Sequence, residues 1–269
     1  MSVVFLTEHG DGIGLGHIRR CQALADEIED SKVIAYPDYD WMRHPPILSS
    51  EDIVVIDSYL AQPSNYKYFT DKCKKVIAID DYNRIDYGAC QVIQPDVFSG
   101  EDLFILRESF KEIDYKVRDE VLKIVVSVGG SDYRGILPGI MDMLIEIPGI
   151  YATYIGADNP VPKNDVPNIM ASADIFISGF GQSMFELAYL GIPTIGIQID
   201  KDQQRIANYF VSKGLSHHHK WDDKSLLSDL KNQIESVYYS YTYRKDLSEK
   251  MKGLVDGKGK ERIIKKIYE

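Results

Sequence analysis

Short runs of Val and Ile, each followed by a loop and then a helical period, recur along the chain and leave few folds open to it. Val3–Leu6, Val33–Tyr36, Ile53–Ile56 and Val76–Ile79 form a first series. They are nearly continuous in aliphatic residues, the pattern of strands buried on both faces. Between the first two, Ile18, Cys21, Leu24, Ala25 and Ile28 fall three or four apart and make one apolar helix stripe. A second series starts at Ile124, with strands expected at Ile124–Val128, Tyr151–Ile155, Ile175–Ser178 and Thr194–Ile197. Helical patterns lie between and after them, over Gly135–Ile147, Gln182–Leu190 and Asp202–Lys213, and Gly191 and Gly214 stand where a helix C-terminal cap favours glycine. Strands alternating with helices predict parallel sheets. The chain has 269 residues, enough for one large domain or two of about 100–150 residues each.

Asp96–Leu122, between the two series, is charged and has no steady period. It reads as a linker, with Leu103-Phe104-Ile105-Leu106 as a possible short strand inside it. The tail, Val255-Asp256-Gly257-Lys258-Gly259 followed by Lys260–Tyr268, reads as a turn and a last basic helix.

The formal net charge is −10, which argues against DNA or RNA as the main partner, because phosphate backbones are held by basic faces. A small anion remains open to it, since backbone N–H groups and one or two arginines suffice. Three widely spaced cysteines, Cys21, Cys73 and Cys90, offer neither a disulfide framework nor a zinc knuckle. The first residues lack the basic region of a signal peptide, and no run approaches the roughly 18 apolar residues of a membrane span. Together these predict a reduced, cytoplasmic protein.

Five constellations carry candidate chemistry. Gly10-Asp11-Gly12-Ile13-Gly14-Leu15-Gly16-His17 follows the first strand and opens the first helix, with Arg20 one turn on. The glycines let backbone approach a ligand, but Gly12, Gly14 and Gly16 are misplaced for a dinucleotide fingerprint, and Asp57 comes too late for its ribose carboxylate. His17 is placed for general base or acid work at the edge where such sheets bind ligands, or merely to cap or pack. Asp80-Asp81 ends a strand; two adjacent acids there point to different sides, one of them towards a ligand or both into a solvated turn. Gly129-Gly130-Ser131-Asp132 repeats the strand-then-glycine plan and offers N–H groups to a diphosphate, or is a tight turn with Asp132 as helix cap. Ser178-Gly179-Phe180-Gly181-Gln182-Ser183, with Glu186 one turn into the next helix, can give N–H groups to phosphate and a carboxylate to ribose hydroxyls; the alternative is a capping box. Gln203 opens a helix at the same edge. Adjacent His217-His218-His219 resembles a metal cluster but cannot all face one ion, and Tyr238–Tyr243 reads as a packed or surface segment.

The order of these motifs, closed by Leu190-Gly191-x-Pro193, Gln203 and Val255-Asp256-Gly257-x-Gly259, resembles the UDP-sugar hydrolases of pseudaminic acid biosynthesis and the related spore-coat polysaccharide proteins. All are similar to the GT-B glycosyltransferases, including the enzyme that adds N-acetylglucosamine to the lipid-linked peptidoglycan precursor. The resemblance runs from about residue 10 to 260. It implies two Rossmann-like domains with parallel sheets facing across a cleft: residues 1–118, with a C-terminal helix at 256–269 packing back on them, and residues 119–255 as the nucleotide-binding domain. It implies a UDP-sugar or other nucleotide-sugar as partner, with Glu186 on the ribose, the Ser178–Ser183 loop on the diphosphate, and Gly14, Gly16, Arg20, Asp80, Asp81, Gly129, Gly130, Gly179, Gly181, Gln182 and Gln203 around the substrate. His17 matches the histidine that activates water. No metal or redox cofactor is implied. The activity implied is hydrolysis of a UDP-linked amino or deoxy sugar at the anomeric carbon, with transfer to a hydroxyl acceptor or binding without turnover as alternatives. Phe180 stands where the family's loop has glycine, Ile206 where the transferases have Asn, and His217–His219 where small residues are common. A bulky ring at 180 is expected to narrow the diphosphate pocket or close it.

Overall fold

The computed structural model describes residues 1–9, 16–37, 43–81 and 83–269. In chain order the elements are β1 (Val3–His9), α1 (Gly16–Ala25), β2 (Ser31–Pro37), β3 (Ile53–Asp57), α2 (Pro63–Thr70), β4 (Lys75–Ile79) and β5 (Gln91–Ile93). There follow β6 (Lys123–Ser127), α3 (Leu137–Ile145), β7 (Tyr151–Tyr154), α4 (Val166–Ala171), β8 (Ile175–Gly179), α5 (Ser183–Leu190), β9 (Thr194–Gln198), α6 (Gln204–Ser212), β10 (His218–Lys220), α7 (Leu226–Gln233), α8 (Tyr241–Lys252) and α9 (Gly259–Tyr268). The chain divides into two compact units, Met1–Ile105 with Gly257–Glu269, and Leu106–Asp256.

Each unit is a five-stranded parallel sheet, ordered β2-β1-β3-β4-β5 in the first and β10-β9-β8-β6-β7 in the second. Counted from its own first strand, each has the order 2-1-3-4-5, a doubly wound sheet. The first and second strands of such a unit step one way and the remaining strands step the other way. The crossover helices therefore change faces between the first and third strands.

The period-2 rule explains why the strand runs are solidly apolar. Val3, Phe5, Ile53, Val55, Ile77 and Ile79 face one side of the first sheet, and Val4, Leu6, Val54, Ile56, Val76 and Ala78 the other. The former side is covered by Cys21, Leu24 and Ala25 of α1 and by Ile263 and Ile267 of α9; the latter by Tyr66 and Phe69 of α2. Each fully buried Ile contributes roughly 1.5–3 kcal/mol, so α9 belongs to the first unit by its core contacts. No described helix is long and apolar enough to cross a membrane.

One sequence expectation changes. The charged stretch read as a linker is pinned down rather than free, because its few apolar residues are buried: Leu103 and Phe104 in the first unit, Leu106, Phe110 and Tyr115 in the second. It holds a 3-10 turn at Glu108–Phe110 and no strand. In the histidine triplet, His218 and His219 open the edge strand β10 and His217 precedes it, and the three imidazoles diverge: His217 Nε2 meets Tyr243 OH, His218 Nε2 meets Gln198 Oε1 and His219 Nε2 meets Gln233 Oε1.

The start of α9 is packed tightly against the chain it returns to. A Cβ at Gly259 would lie 2.2 Å from the Phe104 carbonyl oxygen and 2.6 Å from its nitrogen. Backbone cannot swing aside as a side-chain tip can, so Gly259→Ala should lower stability by about 1–3 kcal/mol in urea unfolding. A variant as stable as the parent would show that α9 is not seated there.

Candidate functional site

In a doubly wound sheet the ligand crevice opens beyond the strand C-termini, where the crossovers change faces. That point lies between β1 and β3 in the first unit, and between β6 and β8 in the second.

In the first unit, β3 ends in Asp57, paired in register with Thr7 of β1. The side chain of Asp57 is fully buried, and a lone buried carboxylate is costly. α1 supplies what it needs. His17 Nδ1 lies 2.6 Å from Asp57 Oδ1, and Arg20 donates from Nε to Oδ2 at 2.7 Å and from Nη2 to Oδ1 at 2.8 Å. Burial alone would raise the Asp57 carboxyl; the Arg20 guanidinium and the His17 hydrogen bond outweigh it and hold the group below its usual range. Asp57 is thus an acceptor only, which assigns the imidazole proton to Nδ1. In the neutral ring Nε2 is then a lone-pair acceptor, and no described residue engages it.

Arg20 also donates from Nη1 to Asp81 at 2.8 and 3.1 Å, and Tyr59 OH donates to Asp81 Oδ2 at 2.7 Å. The Tyr59 ring stands edge-on to the imidazole, with centroids 4.4 Å apart. The neighbouring acid does different work. Asp80 Oδ2 accepts from Arg84 N and Tyr87 OH at 2.6 and 2.8 Å and so fixes the following turn. Of the residues singled out from sequence, His17, Arg20 and Asp81 form one cluster, Asp80 is outside it, and Gly16 opens α1. Gly14, with Gly10 and Gly12, lies outside the described residues, as does Tyr82.

In the second unit, Gly129 and Gly130 form an exposed turn after β6, and Asp132 caps α3 by accepting from Ile136 N and Leu137 N at 3.1 and 2.8 Å. β8 ends in Ser178, whose hydroxyl is bonded to the Gly179 carbonyl, and Gly179, which is wedged between Val128 and Ile199. Gly181 and the exposed Gln182 lead into α5. The N–H groups of Gln182 and Ser183 find no partner among the described residues. Two unpaired N–H groups at the start of a helix favour an anion.

The capping-box alternative is not realised, for Gln182 makes no side-chain cap bond and Glu186 Oε1 instead accepts from Arg107 Nε at 2.7 Å. Burial pushes the Glu186 carboxyl above its usual range, with Arg107 acting in the opposite direction. Gln203 uses Oε1 to accept from Ile199 N at 2.8 Å, holding the turn after β9. That turn is tied to the one after β6, because Tyr133 OH donates to Asp200 Oδ2 at 2.8 Å and Arg134 Nε to the Ile199 carbonyl at 3.3 Å.

The expected obstruction by Phe180 is corrected. Its ring is fully buried, turned into the unit over Gly196, where a Cβ would sit 2.0 Å from the ring. A bulky residue fits in this loop because the adjacent strand has no side chain at 196.

Sequence reasoning missed Asp57 as the partner of His17, and Arg107 as the partner of Glu186. An acid closing a run buried on both faces was a usable signal for Asp57, since such an acid must be paired. Arg107 lies 79 residues before Glu186 and carried no local signal.

No family model matches the chain. Among curated proteins it is similar to the spore coat polysaccharide biosynthesis protein SpsG of Bacillus subtilis, 24% identical over an alignment of 200 positions that covers 64% of this chain and 59% of the relative. It is also similar to the Helicobacter pylori protein named pseudaminic acid cytidylyltransferase and UDP-2,4-diacetamido-2,4,6-trideoxy-beta-L-altropyranose hydrolase, 20% identical over an alignment of 235 positions that covers 75% of this chain and 45% of that one. The chain therefore spans only about half the length of the curated relatives it matches. Among solved structures it resembles MurG of Acinetobacter baumannii with a TM-score of 0.60 at 12% identity, covering 100% of this chain and 99% of the other. It resembles the glycotransferase of kitacinnamycin at 0.67 and 14%, covering 99% and 98%, and S. aureus MnaA solved with UDP at 0.62 and 11%, covering 98% and 95%. At these identities the likeness concerns the fold, which is GT-B-like.

Two stability predictions follow from these contacts. Phe180→Ala should cost about 3–5 kcal/mol and Gly196→Ala about 1–3 kcal/mol. The double variant should lose less than the sum, because the new methyl group occupies part of the vacated space; strict additivity in denaturation would mean that the two residues do not touch. The Asp57 carboxyl is held lower in the folded than in the unfolded chain. The stability it contributes is thus complete above the unfolded carboxylate value of about 3.9 and is lost as pH falls through the folded value. The stability gap between the parent and Asp57→Asn, about 3–5 kcal/mol at neutral pH, should narrow below about pH 4. A gap that stays constant into acid would mean that Asp57 is not the buried anion.

Proposed function

We propose that the chain is a nucleotide-sugar hydrolase that cleaves UDP from a UDP-linked amino or deoxy sugar at the anomeric carbon, with His17 as general base. The observation that carries this is the His17–Asp57 pair, which fixes the proton on Nδ1 and leaves Nε2 to accept one. Nε2 takes a proton from a water molecule, and the water oxygen bonds to the anomeric carbon. The bond from that carbon to the β-phosphate oxygen breaks, and its electron pair leaves with UDP. Asp57 steadies the imidazolium that forms, the role a buried carboxylate plays behind a catalytic histidine. A single displacement of this kind inverts the anomeric centre.

The second unit is assigned the nucleotide. The unpaired N–H groups of Gln182 and Ser183, at the positive end of α5, suit the diphosphate and the charge it gains on leaving. Glu186, one turn into the same helix, suits the ribose hydroxyls. The Gly129-Gly130 turn flanks them across the switch point. Binding of UDP by MnaA and the hydrolase activity in the name of the Helicobacter pylori relative support the choice of nucleotide and reaction. The name of SpsG supports a place in polysaccharide biosynthesis. The reaction as written moves one proton and one glycosidic bond and calls on no metal or redox cofactor. With Phe180 buried, the ground for a binder without turnover is weakened.

UDP release from UDP-linked sugars should fall about 10²–10⁴-fold in His17→Ala and His17→Asn, with UDP affinity little changed. Turnover within a few-fold of the parent would remove His17 as the base. Sugar consumption that requires an added hydroxyl acceptor would make the chain a glycosyltransferase, since the same base can deprotonate that hydroxyl.

A further inference from the structure

Arg107 lies at the start of the second unit, next to Leu106, and reaches the first turn of α5. It is seated by more than its ion pair. Its guanidinium lies over the Phe110 ring at 4.7 Å, and Phe110 is fully buried. The Arg107 side chain is 41% exposed while that of Glu186 is 9% exposed, so the arginine reaches a carboxylate that water hardly reaches. The bond uses one carboxylate oxygen, Oε1, and no described residue engages Oε2.

We propose that Arg107 is a positioning residue that keeps Glu186 ionised and oriented with Oε2 left for the ligand, and that the pair selects ribonucleotides over 2′-deoxyribonucleotides. The inference rests on the assignment of Glu186 to the ribose and deepens it. An ionised carboxylate only accepts hydrogen bonds, so it calls for hydroxyl donors. A buried acceptor left short of a donor is penalised more than an exposed one. A sugar with both hydroxyls brings two donors to the group that Arg107 leaves half-satisfied, and a 2′-deoxy sugar, keeping only its 3′-hydroxyl, brings one fewer. Burial drives Glu186 towards its neutral form, and Arg107 is the charged group among the described residues that opposes it. Without Arg107 the carboxyl should take up its proton at higher pH and turn from a pure acceptor into a partial donor.

The test is equilibrium binding of UDP and 2′-deoxy-UDP to the full chain and to Arg107→Ala, Arg107→Lys and Glu186→Gln, between about pH 5 and about pH 9. The affinity ratio is the readout, because titration of the diphosphate is common to both ligands and cancels. The parent should prefer UDP by about tenfold or more at the alkaline end, with the preference shrinking on acidification. Arg107→Ala should show the same curve displaced to higher pH, recovering its preference in alkali, and Arg107→Lys should lie between. Glu186→Gln should show little preference at any pH. Arg107→Ala with a preference equal to the parent's throughout, or reduced by the same factor at every pH, overturns the positioning role. A parent that binds UDP and 2′-deoxy-UDP equally overturns the selection alone, whereas a parent that binds neither overturns the nucleotide site itself.

Discussion

A carboxylate with no exposed surface at the end of a parallel strand sets the terms for the first unit. Asp57 cannot stay charged there without counter-charge and hydrogen bonds from groups that are themselves held still. Arg20 and His17 supply both, from one face of α1. The same helix buries Cys21, Leu24 and Ala25 on the sheet. Packing of α1 and placement of the imidazole are therefore one problem. A shift that moved Leu24 off the sheet would also pull His17 off Asp57. The site needs no extra scaffold, because the core residues one turn further along the helix already fix it.

The second unit has the same strand order and puts different chemistry at the same place. Asp57 pairs in register with Thr7, and Ser178 with Ser127, so a small hydroxyl residue stands where the first sheet has its buried acid. The second switch point offers open backbone N–H groups instead of a proton acceptor, and its carboxylate is moved one turn into α5 as Glu186. One topology thus carries a paired histidine at one switch point and unpaired N–H groups at the other. Fold alone does not assign function; the side chains at the switch do.

Much of this architecture was legible in the sequence, because doubly buried strands must be solidly apolar and the helices between them must show a stripe. Val3–Leu6, Ile53–Ile56 and Ile175–Ser178 could hardly be anything else. The shortest strands, Gln91–Ile93 and His218–Lys220, were not legible, since three residues hold too little of a period and the second carries histidines where Val or Ile would be the usual signal. His17 and Glu186 stood out by position after a strand and a loop. Their partners did not, because a contact across 40 or 79 residues depends on sheet register and on the path of a charged segment, neither of which is written locally. Phe180 misled for the same reason. The residue that makes room for it, Gly196, sits on the neighbouring strand and reveals its purpose only once β8 and β9 are paired.

Both units bury a carboxylate beside an arginine, and the two pairs come out on opposite sides of the ordinary range. Asp57 takes two bonds from Arg20 and one from His17, enough to outweigh burial. Glu186 takes one bond from Arg107, and burial prevails. The difference is in the number of donors rather than in depth. A carboxylate already saturated with donors is a permanent charge, suited to orienting an imidazole and steadying it when protonated. One held short of donors is incomplete until something brings hydroxyl groups to it, which is the property a binding residue requires. The first is finished by folding; the second, on the proposed reading, is left for a ligand to finish.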